Sequence, residues 1–97
     1  MRFILLTKLS SEVNKDMKDR ASIGERWRKR VKDKCPKVKF IDHYALFGPY
    51  DFLDIYEAPN EKTAAKVSLI SRSMGAELAE SWAAIPYNEF LKLTEEI

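Results

Sequence analysis

The first strand predicted from the sequence is apolar on both faces, and this feature constrains the fold more than any other. Within RFILLTKL (2–9), Phe3 and Leu5 point to one side of a strand, while Ile4 and Leu6 point to the other. A strand with this pattern has to be covered on both faces. The sequence therefore predicts a sheet that carries an apolar layer on each side.

Two helical pieces are predicted after this strand. Apolar residues recur at helical spacing through 11–20 and again through 22–34, with a bend between the two pieces. Ser22 and Glu25 have the spacing of a capping box, which would start the second piece. Pro36 ends it, because the residue before a proline is pushed out of the helical region.

A hairpin and a further helix follow. The segments 37–47 and 51–58 are rich in β-branched and aromatic residues and are separated by a short Gly-Pro turn, which is typical of a β-hairpin. Asn60 is the predicted N-cap of the next helix. Gly75 lies where a left-handed residue would end that helix.

The order of elements predicts the fold class. A last strand is predicted over 76–85, and Pro86 is placed to start a closing helix. The order β-α-β-β-α-β plus a terminal helix is that of a ferredoxin-like α+β fold, with both main helices on one face of a four-stranded antiparallel sheet. A chain of 97 residues is predicted to form a single domain over 1–97. Because the helices cover one face, the other is predicted to pack against the sheet of another subunit.

Several classes of protein are excluded by composition. No apolar run approaches the ~18 residues of a membrane span, and the start of the chain is too short for a signal peptide, so we expect a cytoplasmic protein. The single cysteine, Cys35, cannot form an internal disulfide, although it could pair across a dimer. One His and one Cys far apart do not indicate a metal site, and we expect no cofactor.

Charge is unevenly distributed along the chain. Residues 1–39 carry thirteen Lys/Arg and five Asp/Glu, whereas residues 40–97 carry four and ten, so the halves are +8 and −6. Eight of the basic residues lie within 26–39. This run could neutralise nucleic-acid phosphates. No nucleic-acid recognition pattern accompanies it, so a solvated helix face with Trp27 and Val31 buried beneath it is the preferred interpretation.

The loop of the hairpin decides which side chains share a face. With a three-residue loop, one face of the hairpin carries both aromatic side chains and carboxylates, which we interpret as a polar cavity or an interface that faces a partner. The residues on this face are then Phe40, Asp42, Tyr44, Leu46, Phe52, Asp54 and Tyr56. The opposite set, with Leu53 and Ile55, would then be the core under the helices. A four-residue loop shifts the register by one residue and brings His43 beside Asp54 and Tyr56 instead. The sequence leaves both registers open.

One long segment resembles a known family. ALFGPYDFLDIYEAPNEKTAAKVSLISRSMG, followed by AAIPYNEF, is similar to the GYD domain, which is named for a Gly-x-Tyr-Asp tetrad, here Gly48–Asp51. The resemblance covers nearly the whole chain. It implies a dimeric α+β barrel, in which two ferredoxin-like subunits pack sheet against sheet, and it implies no defined chemistry. Departures from the family pattern include Cys35-Pro36 in place of Gly-Gly, Arg72 in a changed turn, and Trp82 in place of a smaller aliphatic residue.

The tetrad itself has a structural interpretation. Gly48 and Pro49 are explained by turn geometry, because glycine tolerates a positive φ and the proline ring fixes φ near a value that turns require. Asp51 is expected to accept backbone N–H bonds of the loop, and Tyr50 could reach over the sheet to a neighbour or a ligand.

Seven residues are candidates for contact with a ligand: His43, Tyr44, Tyr50, Asp51, Asp54, Tyr56 and Trp82. A lone histidine is more often structural than catalytic, and as a base His43 would need a carboxylate such as Asp54, since neighbouring Asp42 points the other way.

The preferred function is non-catalytic binding of a small molecule, or regulation, through a cavity at the interface between two sheets of a homodimer or higher oligomer. The first alternative is a cofactor-independent monooxygenase that uses Trp82, Tyr44, Asp54 and His43. The second alternative is association with nucleic acid through the basic helix.

Overall fold

The sheet is antiparallel and contains four strands, β1 (Arg2–Leu9), β2 (Lys39–Ala45), β3 (Phe52–Glu57) and β4 (Ala76–Ala84), in the order β2-β3-β1-β4, which confirms the ferredoxin-like prediction. A computed structural model describes residues Met1–Ile97. In chain order the elements are β1 (Arg2–Leu9), α1 (Ser11–Asn14), α2 (Arg20–Lys34), β2 (Lys39–Ala45), β3 (Phe52–Glu57), α3 (Glu61–Ser73), β4 (Ala76–Ala84) and α4 (Tyr87–Glu95).

The predicted ends of α3 are confirmed. The Thr63 backbone N–H donates to Asn60 Oδ1 at 2.9 Å, so Asn60 caps the helix N-terminus. Gly75 follows the helix with φ of +107°, a left-handed conformation that side chains disfavour. Local sequence signals of this kind place the element without help from tertiary packing.

The predicted boundary between the two helical pieces, near residue 21, was wrong. Helix α1 ends at Asn14, and α2 begins at Arg20 rather than at Ser22. The capping box is not formed, since Ser22 lies inside α2 and its Oγ donates to the Asp19 carbonyl at 3.2 Å. A turn precedes α2 instead, in which the Asp19 backbone N–H donates to Asp16 Oδ1 at 3.3 Å.

The core lies between the sheet and the two long helices. Phe3, Leu5 and Tyr56 from the sheet are buried against Val31 of α2 and Val67 of α3, together with Ala64 and Cys35. These side chains supply the apolar layer predicted for one face of β1. Since the Cys35 thiol is buried in this core, it is not exposed to a second chain, and the suggested disulfide across a dimer does not fit the fold.

The hairpin adopts the four-residue register. Residues 47–50 form the loop, and His43 lies opposite Asp54. The register shifts between Phe40 and Asp42, so that Ile41 is bulged and Phe40 returns to a position opposite Tyr56. As a result Asp54 and Tyr56 lie on the face covered by the helices. The prediction that Asp54 and Tyr56 face a partner was therefore wrong, and the three-residue loop on which it depended is absent, whereas Asp42 and Tyr44 of the same predicted set lie on the other face.

The second face of the sheet carries no helix. Alternation along the strands places on it Ile4 and Leu6 of β1, Leu53 and Ile55 of β3, and Leu78 and Trp82 of β4. We call this surface the open face. These six side chains are apolar, as the pattern of β1 predicts, and the charged residues Lys8 and Glu80 lie on the same face.

The C-terminal helix α4 extends from the rest of the chain. No residue of α4 is buried, and Tyr87, Phe90 and Leu91 are exposed although they lie on one side of the helix. The chain measures 50 × 30 × 18 Å, and its radius of gyration of 14.6 Å exceeds the about 12.5 Å expected for a globule of this length. None of the helices has both the length and the apolar character needed to cross a bilayer.

Candidate ligand-binding pocket

A pocket of about 390 Å³ lies between α2 and the helix-covered face of the sheet. On the helix side its wall includes Ala21 and Gly24, and on the sheet side it includes His43, Phe52 and Asp54. A Cβ placed on Gly24 would meet nothing closer than Arg20 Nη2 at 4.0 Å, so the missing side chain leaves real space. The volume is within the range of small-molecule sites in proteins.

Helix α2 presents two arginines to this pocket. Arg20, Gly24 and Arg28 are spaced four residues apart and so lie on one side of the helix. The Arg20 guanidinium lies over the Phe52 ring, with Cζ 5.1 Å from the centroid, and that of Arg28 lies over Phe40 at 5.0 Å. These cation–π contacts hold both guanidinium groups against the sheet.

His43 and Asp54 form a hydrogen-bonded pair at the pocket wall. Their register in the hairpin brings His43 Nδ1 to 2.6 Å from Asp54 Oδ1. Asp54 is 2% exposed, whereas the His43 side chain is 52% exposed. Burial raises the pKa of the Asp54 carboxyl, and the charge and hydrogen bond of His43, together with the charge of Arg28, act against that rise. With Nδ1 engaged, Nε2 is the ring nitrogen left for a ligand.

Tyr56 is buried in the core next to the pocket and does not line it. Its hydroxyl donates to Ser81 Oγ at 2.8 Å, and Ser81 Oγ lies 2.8 Å from Ser68 Oγ. Burial raises the pKa of Tyr56 to about 12. Tyr56 therefore has a structural role. Its hydrogen bond joins β3 to β4 on the face of the sheet that α3 covers.

The end of the Gly-x-Tyr-Asp tetrad anchors the hairpin loop to the rest of the sheet. Asp51 Oδ2 accepts the Leu9 backbone N–H at 2.8 Å, and the Asp51 N–H donates to the Thr7 carbonyl at 2.8 Å. The Tyr50 hydroxyl donates to Glu80 Oε2 at 2.8 Å on β4, and this hydrogen bond raises the pKa of Tyr50. Asp51 thus bonds to backbone as expected, but to β1 rather than to its own loop.

The explanation of Gly48 by positive φ was wrong. Gly75 is the glycine with positive φ, and Gly48 is not. A Cβ added to Gly48 would have no heavy atom within 4 Å. Neither the backbone conformation nor the packing of a single chain therefore requires glycine at this position.

Two of the predicted site residues lie on the open face, away from the pocket. The Tyr44 hydroxyl donates to Asp42 Oδ2 at 2.6 Å, and Trp82 Nε1 donates to Glu80 Oε1 at 3.0 Å. Both aromatic side chains are about half exposed. The predicted cluster of Trp82, Tyr44 and Asp54 is thus divided between the two faces of the sheet.

Sequence reasoning missed the residues that α2 contributes to the pocket. Arg20, Gly24 and Arg28 share a spacing of four residues, and this periodicity was readable in the sequence once the helix was taken to start at Arg20. Because the helix was predicted to start at Ser22, Arg20 was not assigned to it. Across the chain no group of three or more His, Cys, Asp or Glu side chains is arranged to hold a metal ion, and the pocket offers a His–Asp pair and arginines.

These features define a ferredoxin-like α+β protein with a pocket under its first long helix and an uncovered sheet face. The sequence matches the family model of the GYD domain over residues 3–94, and the chain belongs to that family, as its tetrad indicated. It is also similar to the "Glutamine synthetase and cystathionine beta-lyase binding protein" of Thermus thermophilus, with 33% identity over 54 residues. That match spans 56% of this chain and 57% of the relative. No solved structure matches the chain significantly.

Proposed function

We propose that this protein is a non-catalytic binding protein of the cytoplasm, which holds a small molecule in the pocket under α2 and works as a homo-oligomer. The observation that carries the proposal is the pocket itself, an open space of about 390 Å³ whose lining includes Arg20, His43 and Phe52. Small-molecule sites combine such an apolar wall with a few polar groups. The pocket lies on the opposite side of the sheet from the cavity predicted at the sheet interface.

A role in binding or regulation is supported by the similarity to the Thermus thermophilus protein, whose name describes binding to two enzymes. The match covers 57% of that relative, so its partners are not transferred to this chain. A regulatory protein of this kind would couple occupancy of its pocket to contacts with other chains. The pocket and the open face share the strands β1, β3 and β4, which gives such coupling a physical route.

Gly24→Leu is expected to fill the pocket and to abolish ligand binding. Leucine on this side of α2 occupies the space that glycine leaves open, since a Cβ there has no neighbour closer than Arg20 Nη2 at 4.0 Å. Native mass spectrometry of the purified protein is expected to show an added mass that Gly24→Leu lacks. Ala65→Leu, at an exposed position of α3, is the matched control and should keep it. An added mass that both variants retain would contradict a site under α2.

The homo-oligomer is proposed to form through the open face. Trp82 and Leu78 are 50% and 45% exposed, and Trp82 lies beside Ile4 of β1, which lies beside Ile55 of β3. Contiguous apolar patches on a protein surface often mark protein–protein interaction sites. A second copy is the occupant that supplies a complementary surface, since its own open face has the same composition and size.

Leu78→Glu is expected to dissociate the oligomer, because it buries an unpaired carboxylate in the interface. The cost of about 2 kcal/mol or more corresponds to roughly thirtyfold weaker self-association. Sedimentation equilibrium measures it directly. Leu69→Glu, on the outer side of α3, is the control, since Leu69 is 60% exposed on the opposite side of the molecule. If the wild-type protein sediments as a monomer at high concentration, the proposed self-association is wrong.

A cofactor-independent monooxygenase is the second candidate, and the His43–Asp54 pair is the observation that favours it. A half-exposed imidazole oriented by a buried carboxylate is an arrangement that takes a proton from a substrate hydroxyl. Trp82 lies on the other face of the sheet and would have no part in it. Oxygen uptake with a hydroquinone that is unchanged by His43→Ala would eliminate this candidate. The basic side chains of 26–39 are exposed, and nothing in the fold adds to the nucleic-acid alternative.

A further inference from the structure

We propose that the ligand of the pocket is a small carboxylate on a flat apolar body, and that Arg20 binds its charge. The proposal rests on the proposed function, because it requires the pocket under α2 to be a binding site. It names the chemical class that the site selects and the residue that selects it.

Arg20 has an unmet hydrogen-bonding requirement. Its Nη1 atom is buried and has no hydrogen-bond partner, the one side-chain nitrogen or oxygen of the chain in this condition. The ion pairs of the chain join Glu57 to Arg2 and the N-terminus, and His43 to Asp54, so Arg20 takes part in none of them. The Phe52 ring stabilises the guanidinium charge but supplies no oxygen to accept its N–H. A buried charged donor left unpaired is costly, so an acceptor in the pocket is strongly favoured.

Two other polar groups of the pocket have partners within the chain. Asp54 Oδ1 is engaged by His43, and the charges of His43 and Arg28 offset that of the carboxylate. Ser71 Oγ accepts the Trp27 Nε1 hydrogen at 2.8 Å and donates to the Val67 carbonyl at 2.9 Å. Arg20 differs from these two groups, because its buried Nη1 has no acceptor. A carboxylate satisfies a guanidinium best, because its two oxygens match the planar fork of N–H groups.

The apolar residues that line the pocket determine which uncharged part the ligand can have. Apolar side chains surround the space next to the guanidinium, and they include Leu9, Ile23, Trp27, Phe52 and Met74. A cavity of about 390 Å³ with this wall is too large and too apolar for an inorganic anion alone. An aromatic or short branched carboxylic acid fits both parts, with its carboxylate at Arg20 and its ring or chain against the indole and phenyl groups.

Benzoate and benzamide are the probes, since they have the same shape and only benzoate is charged at neutral pH. Calorimetric titration of the full chain is expected to show benzoate binding about tenfold or more tightly than benzamide. Arg20→Gln should abolish that difference, and Arg20→Lys should retain part of it. Arg30→Gln is the matched control, because Arg30 is exposed on the same helix and does not line the pocket. Far-ultraviolet circular dichroism checks that each variant is folded.

Four outcomes would overturn the inference, and they are separable from failure of the proposed function. Equal binding of benzoate and benzamide removes the preference for an anion and leaves the pocket as a site. If Arg20→Gln still binds benzoate more tightly than benzamide, Arg20 is not the residue that binds the carboxylate. Benzoate binding that survives Gly24→Leu places the anion elsewhere on the molecule. Absence of benzoate binding up to its solubility limit refutes the carboxylate class, whereas an added mass in the purified protein still reports a pocket ligand of another class.

Discussion

Gly75→Ala is expected to lower the free energy of unfolding by about 2 to 4 kcal/mol, the sum of backbone strain and overpacking. Gly75 has φ of +107°, where an L side chain is strained. A Cβ at this position would approach Val13 Cγ2 to 2.5 Å, which requires α1 to move. The Gly75 carbonyl also accepts the Ser10 backbone N–H at 2.8 Å, so movement of α1 would disturb the junction of β1 and β4. Urea denaturation followed by circular dichroism measures the change.

Gly48→Ala is the matched control for this substitution. Gly48 has no positive φ and no heavy atom near its potential Cβ, so the same change should alter stability by less than about 0.5 kcal/mol. An equal loss in both variants would show that the loss at Gly75 comes neither from its positive φ nor from the contact with Val13, since an effect on the unfolded chain would raise stability instead. The control also tests whether the first residue of the tetrad is needed for folding.

Local signals explain which parts of the fold were predictable. Asn60 and Gly75 act through their own side chain or backbone, and both were read correctly from the sequence. The start of α2 was misread because Ser22 and Glu25 have the spacing of a capping box, whereas the helix begins at Arg20, after a turn in which the Asp19 N–H donates to Asp16 Oδ1. Short-range patterns therefore predicted the elements better than their boundaries.

The hairpin register was decided by tertiary packing. The bulge at Ile41 returns Phe40 to the helix-covered face, where its ring lies 5.3 Å from that of Trp27 and 6.2 Å from that of Tyr56. Those partners belong to α2 and β3, so the bulge cannot be read from β2 alone. The four-residue alternative did anticipate the pairing of His43 with Asp54. It did not anticipate that this pair would lie under the helices.

The tetrad affects the pocket indirectly. Asp51 and Tyr50 fix the loop to β1 and β4, and the loop fixes the register that sets His43 opposite Asp54. Neither residue lines the pocket. A signature motif can thus mark a family through the geometry that it imposes, while the groups that contact a ligand lie several residues away on neighbouring elements.

Stability is expected to fall by about 2 to 3 kcal/mol between pH 10 and pH 12 because of Tyr56 alone. The folded chain raises the pKa of Tyr56 to about 12 from an ordinary value of 10.0. In this window the unfolded chain releases the phenolic proton while the folded chain keeps it, so the folded state binds more protons. The free energy of unfolding must then decrease as pH rises, and the contribution of Tyr56 is fully present only below pH 10.

Tyr56→Phe isolates this effect from the titration of other groups. The variant loses the hydrogen bond to Ser81 and should be about 1 kcal/mol less stable at pH 9. Because phenylalanine has no proton to retain, its deficit should shrink above pH 10 and reverse near pH 12. Tyr87→Phe, at an exposed position on α4, should instead follow the wild-type curve. Urea denaturation across this range gives the three curves, and a Tyr56→Phe curve parallel to the wild type would show that the phenol ionises in the folded chain.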